Sequence, residues 1–172
     1  WSPMKHSIAI VDDHILIAWA LSGIIGNFSQ FEVLYECENG KALQQRMEVS
    51  ANVPDIVLLD ISMPVMDGFA TAAWLKEMHP QVLIMALSMQ DDEQSLIRMI
   101  RCGARGYLLK NVHPEELEKA LKSLVDNGTY YPDWATAKVF NTISAGSDAA
   151  KDMVTLTARE KEFLGYSVTE MS

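Results

Sequence analysis

Three stretches of the chain, Ile8–Val11, Ile56–Leu59 and Val82–Leu87, are nearly unbroken runs of apolar residues rather than alternating ones. A strand with one solvated face alternates with period two, whereas a strand covered on both faces by helices has no such freedom. Each run is too short to span a bilayer, so an integral membrane protein is not expected. Two further β-rich runs, Phe31–Cys37 and Arg105–Leu109, complete a set whose full bounds are His6–Val11, Phe31–Cys37, Asp55–Leu59, Gln81–Leu87 and Arg105–Leu109. Helix-period segments separate them: Ile15–Gly26, Lys41–Val49, Gly68–Met78 and Asp92–Cys102, with Glu115–Val125 after the last strand. Alternation of this kind requires right-handed crossovers and predicts an α/β fold, a (βα)5 doubly wound parallel five-stranded sheet.

Punctuation agrees with these bounds. Gly103 falls where a helix C′ residue belongs, Pro114 suits a helix N1 position, and Asn127-Gly128 ends the last helix of the set. Beyond Tyr131-Pro132 another helical pattern, about Asp133–Ile143, runs into Ser144-Ala145-Gly146-Ser147-Asp148, a linker composition. Thr157 and Glu160 then have the spacing of a capping box, so a new helix is expected to start there. Trp1-Ser2-Pro3 ahead of Met4 is expected to be an added leader outside the fold. No charged segment followed by an apolar one opens the chain, so secretion is not expected and a cytoplasmic location is. Cys37 and Cys102 have no CxxC or metal spacing and are expected to be reduced and buried. The formal net charge of −9 argues against this stretch wrapping nucleic acid by itself.

In an open parallel sheet, chemistry gathers at the carboxyl ends of the strands where the strand order reverses. Those ends carry Asp12-Asp13, Asp60, Ser88 and Lys110. Clustered carboxylates raise one another's pKa values unless a cation joins them. A hard divalent ion that accepts carboxylate oxygens and keeps water, Mg²⁺, suits this set better than Zn²⁺. A carboxylate between such an ion and a lysine ammonium can attack a phosphoryl group whose spreading charge both cations stabilise. The set therefore predicts an aspartyl-phosphate site, with Ser88 placed to hydrogen-bond the phosphoryl oxygens.

The segments Ile10-Val11-Asp12-Asp13-His14, Leu58-Leu59-Asp60-Ile61-Ser62-Met63-Pro64-Val65-Met66-Asp67-Gly68, Ala86-Leu87-Ser88 and Gly106-Tyr107-Leu108-Leu109-Lys110 resemble, in order, two-component response-regulator receiver domains. The resemblance implies a flavodoxin-like receiver over 4–128, phosphorylated on Asp60 by a sensor histidine kinase. It also implies Mg²⁺ bound by Asp13, Asp60 and the backbone carbonyl of Ser62, with Asp12 helping through water. By the same resemblance Ser88 is the switch hydroxyl, Tyr107 the switch aromatic and Lys110 the phosphate-binding lysine. Phosphorylation is then expected to draw Ser88 inward, let Tyr107 turn from exposed toward buried, and drive homodimerisation. Leu156-Thr157-Ala158-Arg159-Glu160-Lys161-Glu162 is similar to the opening of LuxR-type helix-turn-helix domains of the NarL/FixJ group. On that basis 129–154 is a helical linker, and 155–172 is the start of a truncated DNA-binding domain whose recognition helix lies beyond Ser172. DNA would be bound only through that missing part. Many receivers have proline after the lysine, where this chain has Asn111; a retained cis bond there would cost about 3–4 kcal/mol.

Other readings of the same residues compete with this one. His14 beside the acidic pair is expected to be structural or exposed rather than a ligand, and Asp91-Asp92-Glu93 to serve a helix N-terminus. The methionines, among them Met63, Met66, Met85, Met89 and Met99, are expected to fill the core. A haloacid-dehalogenase-like Mg²⁺-dependent phosphatase is the enzyme alternative. It wants an Asp-x-Asp nucleophile after the first strand and its acidic pair late, the reverse of the order here. An FMN binder needs a hydroxyl- and glycine-rich phosphate loop, which Asp12-Asp13 would repel. A degenerate receiver serving only dimerisation would not need every chemical residue. The chain is therefore expected to act as a switch and not as an enzyme, apart from phosphorylation and dephosphorylation of Asp60.

Overall fold

The computed structural model describes residues 4–144. Strands β1 (His6–Val11), β2 (Phe31–Cys37), β3 (Ile56–Asp60), β4 (Leu83–Ser88) and β5 (Gly106–Leu109) form one sheet in the order β2-β1-β3-β4-β5. All four pairings are parallel. The order reverses between β1 and β3, which puts the carboxyl ends of those two strands side by side at the crevice. Helices α1 (Ile15–Ile25), α2 (Gly40–Arg46), α3 (Gly68–Met78), α4 (Glu93–Arg101) and α5 (Pro114–Asn127) form the crossovers and the final cover.

Every residue from Ile8 to Val11 and from Ile56 to Leu59 is fully buried, so the central strands have no solvated face. One face of the sheet (Ile8, Ile10, Ile56, Leu58, Met85, Leu87, Leu108) packs on α1 through Ala18, Leu21 and Ile25, and on α5 through Leu117, Ala120, Leu121 and Leu124. Alternate residues, Ala9, Val11, Val57, Leu59, Ala86 and Tyr107, point to the opposite side. Beyond α5 the chain turns at Gly128, whose φ of +86° caps the helix in the left-handed region. It then runs along the free edge of β5: Tyr130 accepts from Tyr107 N and donates to Arg105 O, which leaves less of that edge unpaired.

The sequence bounds hold to within a residue or two, with one difference of substance. The segment expected as one helix to Val49 is α2 ending at Arg46, followed by a short 3₁₀ turn at Ser50–Asn52. Helix α5 runs from Pro114 at N1 to Asn127 ahead of the αL Gly128, where the punctuation of the sequence puts both ends. Residues to Pro132 make one compact unit. From Asp133 the chain belongs to a second, whose described part is helix α6 (Asp133–Ser144). Residues 1–3, the linker expected after Ser144 and the helix-turn-helix opening at 155–172 lie outside the described residues. Cys37 is a buried free thiol, its pKa pushed up to about 11 by burial, which keeps it protonated and unreactive. Cys102 is only half-buried, against expectation, since it caps α4 at the helix end. Met85 and Met99 are core residues, but Met89 is 61% exposed in the loop after β4.

Candidate functional site

The acidic end of β1 is fixed by its own loop. Asp12 is buried, and its Oδ1 accepts from the backbone N–H of His14 at 2.8 Å, closing the turn into α1. Asp13 follows and is exposed. Asp60 is the last residue of β3 and is 3% exposed. Lys110, one residue past β5, sends a buried Nζ to 2.9 Å from Asp12 Oδ2 and 3.0 Å from Asp60 Oδ1. One ammonium thus holds the two buried carboxylates together. The remaining oxygen of Asp60, Oδ2, is buried without a hydrogen-bond partner. Burial raises the Asp60 pKa to about 6; the Lys110 hydrogen bond opposes that rise, while the charge of Asp12 adds to it.

The loop from Ile61 to Asp67 carries the chain from the strand end directly into α3. Asp67 caps α3 by accepting from Ala70 N at 2.9 Å, and Gly68 N donates back to Ile61 O at 2.8 Å. A Cβ on Gly68 would stand 2.3 Å from the Asp60 carbonyl oxygen and 2.7 Å from Ile61 Cα, so only glycine lets α3 start this close to the strand end. Between them Met66 N donates to Pro64 O at 2.7 Å around Val65, whose φ is +69°. A positive φ on a β-branched residue is a strained, rarely populated conformation. Ser62, expected to lend its carbonyl to a cation, lies exposed in this loop two residues past Asp60.

Ser88 ends β4, but its hydroxyl is not turned to a free acceptor. It donates to the Gln90 carbonyl at 2.8 Å and accepts from Gln90 N at 3.2 Å. The Tyr107 hydroxyl reaches the same Gln90 carbonyl at 3.3 Å. Tyr107 is fully buried, and burial pushes its pKa up. The expected starting point, an exposed Tyr107 that turns inward, is therefore corrected: the ring is already inside, on the strand beside β4, with one carbonyl shared by both hydroxyls. Among the described residues there is no cis peptide bond, so Lys110-Asn111 is trans and Lys110 reaches the acids from that geometry.

One participant was not anticipated. The His14 ring is half-exposed, yet its Nδ1 lies 2.9 Å from Asp12 Oδ1, 3.4 Å from Asp13 Oδ1 and 3.9 Å from Asp60 Oδ2. It also lies 3.0 Å from Lys110 Nζ. Donor atoms of Asp12, Asp13, His14 and Asp60 all fall within 4.8 Å of one another. The adjacency of His14 to the acidic pair was visible in the sequence; the rotamer that turns its nitrogen inward was not. Carboxylate oxygens in this number, one of them buried and unsatisfied, fit a divalent cation, with Asp12, Asp13 and Asp60 as the residues able to hold it.

Comparison with known proteins bears on this geometry. The family model described as the response regulator receiver domain matches residues 8–122. The chain belongs to the response-regulator receiver family. It is 33% identical over 126 residues to the transcriptional regulatory protein DegU of Brevibacillus brevis, covering 73% of this chain and 52% of that protein. It is 32% identical over 167 residues to the oxygen regulatory protein NreC of Staphylococcus epidermidis, covering 91% of this chain and 74% of that one. The chain thus spans about half the length of the first relative and three quarters of the second. Among solved structures, the signal receiver domain of the response regulator NarL from Mycobacterium tuberculosis superposes with a TM-score of 0.65 at 28% identity, covering 70% of this chain and 96% of that one. The non-phosphorylated receiver domain of RcsB from Escherichia coli, at 23% identity and a TM-score of 0.69, shares the fold. It covers 75% of this chain and 99% of that one. The receiver domain takes the place of the phosphatase alternative, and the five-stranded parallel sheet is the flavodoxin-like one expected. Among the described residues no helix is long and apolar enough to cross a membrane.

Proposed function

We propose that this receiver takes a phosphoryl group on Asp60 from the phosphohistidine of a sensor histidine kinase and relays its arrival to an attached DNA-binding domain. The observation that carries the reading is Asp60 itself. One carboxylate oxygen is tied to a buried ammonium, and the other is buried with no hydrogen-bond partner at the strand-order reversal. In the transfer, Asp60 Oδ2 forms the new O–P bond as the P–N bond to the donor imidazole breaks. Lys110 stays paired to Oδ1 and neutralises charge growing on the phosphoryl oxygens. A bound Mg²⁺ would add a second positive charge on the same oxygens, held by Asp12, Asp13, Asp60 and the Ser62 carbonyl. Ser88 exchanges the Gln90 carbonyl for a phosphoryl oxygen, leaving Tyr107 as the remaining side-chain hydroxyl on that carbonyl. The exchange biases the β4–α4 loop between two arrangements, a population shift paid by contacts available only when phosphoryl is present.

Several further assignments belong to the same reading. Residues 4–128 are the receiver, 129–154 a helical linker, and 155–172 the opening of a LuxR-type helix-turn-helix domain. Phosphorylation promotes homodimerisation, and the protein works in the cytoplasm without contacting a membrane. Beyond the turnover of its own Asp60 phosphoryl group it is not an enzyme. Ile15, Leu16 and Trp19 are exposed on α1, the helix that follows the acidic pair, and offer an apolar surface to a phosphodonor protein.

The test is intact-mass analysis after incubation with Mg²⁺ and acetyl phosphate. The wild type gains one phosphoryl mass and Asp60→Asn gains none. A full-yield adduct on Asp60→Asn, or none on the wild type with either acetyl phosphate or a phosphohistidine donor, refutes the reading.

A further inference from the structure

We propose that His14 is a nitrogen ligand in the cation site and that it gives this receiver a preference for first-row transition ions such as Mn²⁺ over Mg²⁺. The inference rests on the cation site of the proposed function and adds a donor to it. The first support is spacing. Adjacent ligands on a six-coordinate ion with bonds of about 2.1 Å stand about 3 Å apart. His14 Nδ1 stands 2.9 Å from Asp12 Oδ1 and 3.4 Å from Asp13 Oδ1, the separations of neighbouring donors around one such ion. The second support is the Asp60 Oδ2 atom, buried and without a hydrogen-bond partner, which faces the same nitrogen at 3.9 Å.

The third support is a conflict in hydrogen-bonding chemistry that an ion removes. Nδ1 meets the Lys110 ammonium, which only donates, at 3.0 Å, and the Asp12 carboxylate, which only accepts, at 2.9 Å. One ring nitrogen serves a donor with its lone pair or an acceptor with its proton, never both at once. With a cation between them, the lone pairs of Nδ1 and Asp12 Oδ1 face the same positive centre. Lys110 then keeps its two other contacts, to Asp12 Oδ2 and Asp60 Oδ1. The backbone bond from His14 N to Asp12 Oδ1 already pins the residue that would carry the ring, so little main-chain ordering remains. An all-oxygen site suits Mg²⁺, whereas adding an imidazole shifts preference along the first transition row.

Mn²⁺ is the probe, with the full chain stripped of metal. Pulsed electron paramagnetic resonance of the bound Mn²⁺ should show coupling to a ligand nitrogen, and that coupling should vanish in His14→Ala. The same substitution should weaken Mn²⁺ by at least the roughly tenfold that loss of a mere supporting residue costs, and Mg²⁺ by less. His14→Gln, which keeps a polar side chain without an imidazole nitrogen, should behave like His14→Ala. Bound Mn²⁺ without nitrogen coupling, or His14→Ala binding Mn²⁺ as tightly as or more tightly than wild type, overturns the ligand role. If Asp13→Asn abolishes Mn²⁺ uptake while the wild type shows no nitrogen coupling, the acidic cation site stands and only the role of His14 falls. If neither Mn²⁺ nor Mg²⁺ binds the wild type, both fall together.

Discussion

Asn in place of Asp60 should make the metal-free receiver more stable at neutral pH while removing the proposed phosphoacceptor. The folded protein raises the Asp60 pKa from 3.8 to about 6, chiefly by burial. Between those values the folded state holds a proton that the unfolded chain has released, so stability falls as pH rises through that window. Above it the loss is complete: two pKa units at about 1.4 kcal/mol each come to about 3 kcal/mol. Asn carries no charge at any pH, still offers an oxygen to the Lys110 ammonium, and ends the repulsion with Asp12. Asp60→Asn should therefore exceed wild type by up to about 3 kcal/mol at pH 7.5, a rise of roughly 6–12 °C in Tm. The gap should close as pH falls toward 4. Urea unfolding followed by Trp fluorescence in EDTA at pH 4.5 and 7.5 measures it. Saturating Mg²⁺ should narrow the gap at pH 7.5, because it stabilises the wild type, which holds it better. An Asn variant no more stable than wild type at pH 7.5, or a gap independent of pH, would show that burial does not raise the Asp60 pKa in the folded protein.

Other substitutions probe the loops that shape the site. Gly68→Ala should cost at least about 2 kcal/mol by overpacking and lower phosphorylation yield with it, since the new Cβ meets Asp60 and Ile61 main chain rather than a movable side chain. Thermal melts and acetyl-phosphate labelling of that variant read both effects. Val65→Gly should leave stability unchanged or raise it by about 1 kcal/mol, because relief of a strained φ of +69° outweighs the entropy of a glycine. Ser88→Ala, which loses the 2.8 Å bond to Gln90 O, should cost about 1 kcal/mol in urea unfolding yet still take up phosphoryl. Phosphorylation of that variant should no longer change dimerisation in sedimentation velocity. Leu121→Ala, fully buried between α5 and the sheet, should cost about 2–5 kcal/mol without altering Mg²⁺ affinity.

The elements most legible in the sequence are those whose physics is local or periodic. Unbroken apolar runs at Ile8–Val11 and Ile56–Leu59 could be strands only if helices covered both faces, and helices do. The helix N-terminus served by Asp92 and the αL turn at Gly128 follow from single residue types at single positions; the cap at Asp67 was not anticipated. The convergence of Asp12, Asp60 and Lys110 followed from the rule that strand ends at an order reversal share a crevice. What escaped depends on rotamers and on backbone far from helix or strand. Nothing in the composition of the loop after Asp60 sets Val65 at positive φ; there Met66 N closes on Pro64 O, a main-chain contact that no side chain announces. Tyr107 was expected outside because its partner hydroxyl was expected to move first. The sheet, however, has room for the ring beside Gln90 O, and burying a large aromatic is favourable by itself. His14 needed a rotamer, and a sequence carries none.

Three costs converge at one end of β1 and β3: a buried carboxylate oxygen without a partner, a valine at positive φ, and an imidazole nitrogen between a donor and an acceptor. Each is of the order of 1–3 kcal/mol, enough together to matter against a net stability of about 5–15 kcal/mol. They persist because the residues bearing them are anchored by strands with no solvated face and by α1 and α3, whose first turns begin within eight residues of the acids. A site relaxed in isolation would have its carboxylates satisfied and would gain little from a cation or a phosphoryl group. On the proposed function, charge arriving from outside meets the unsatisfied oxygen and the divided contacts of His14 Nδ1, while the strain at Val65 is held by the surrounding fold. On that same proposal, the rigid core keeps the strand ends under-satisfied until that charge arrives, and the energy released by satisfying them biases the β4–α4 loop.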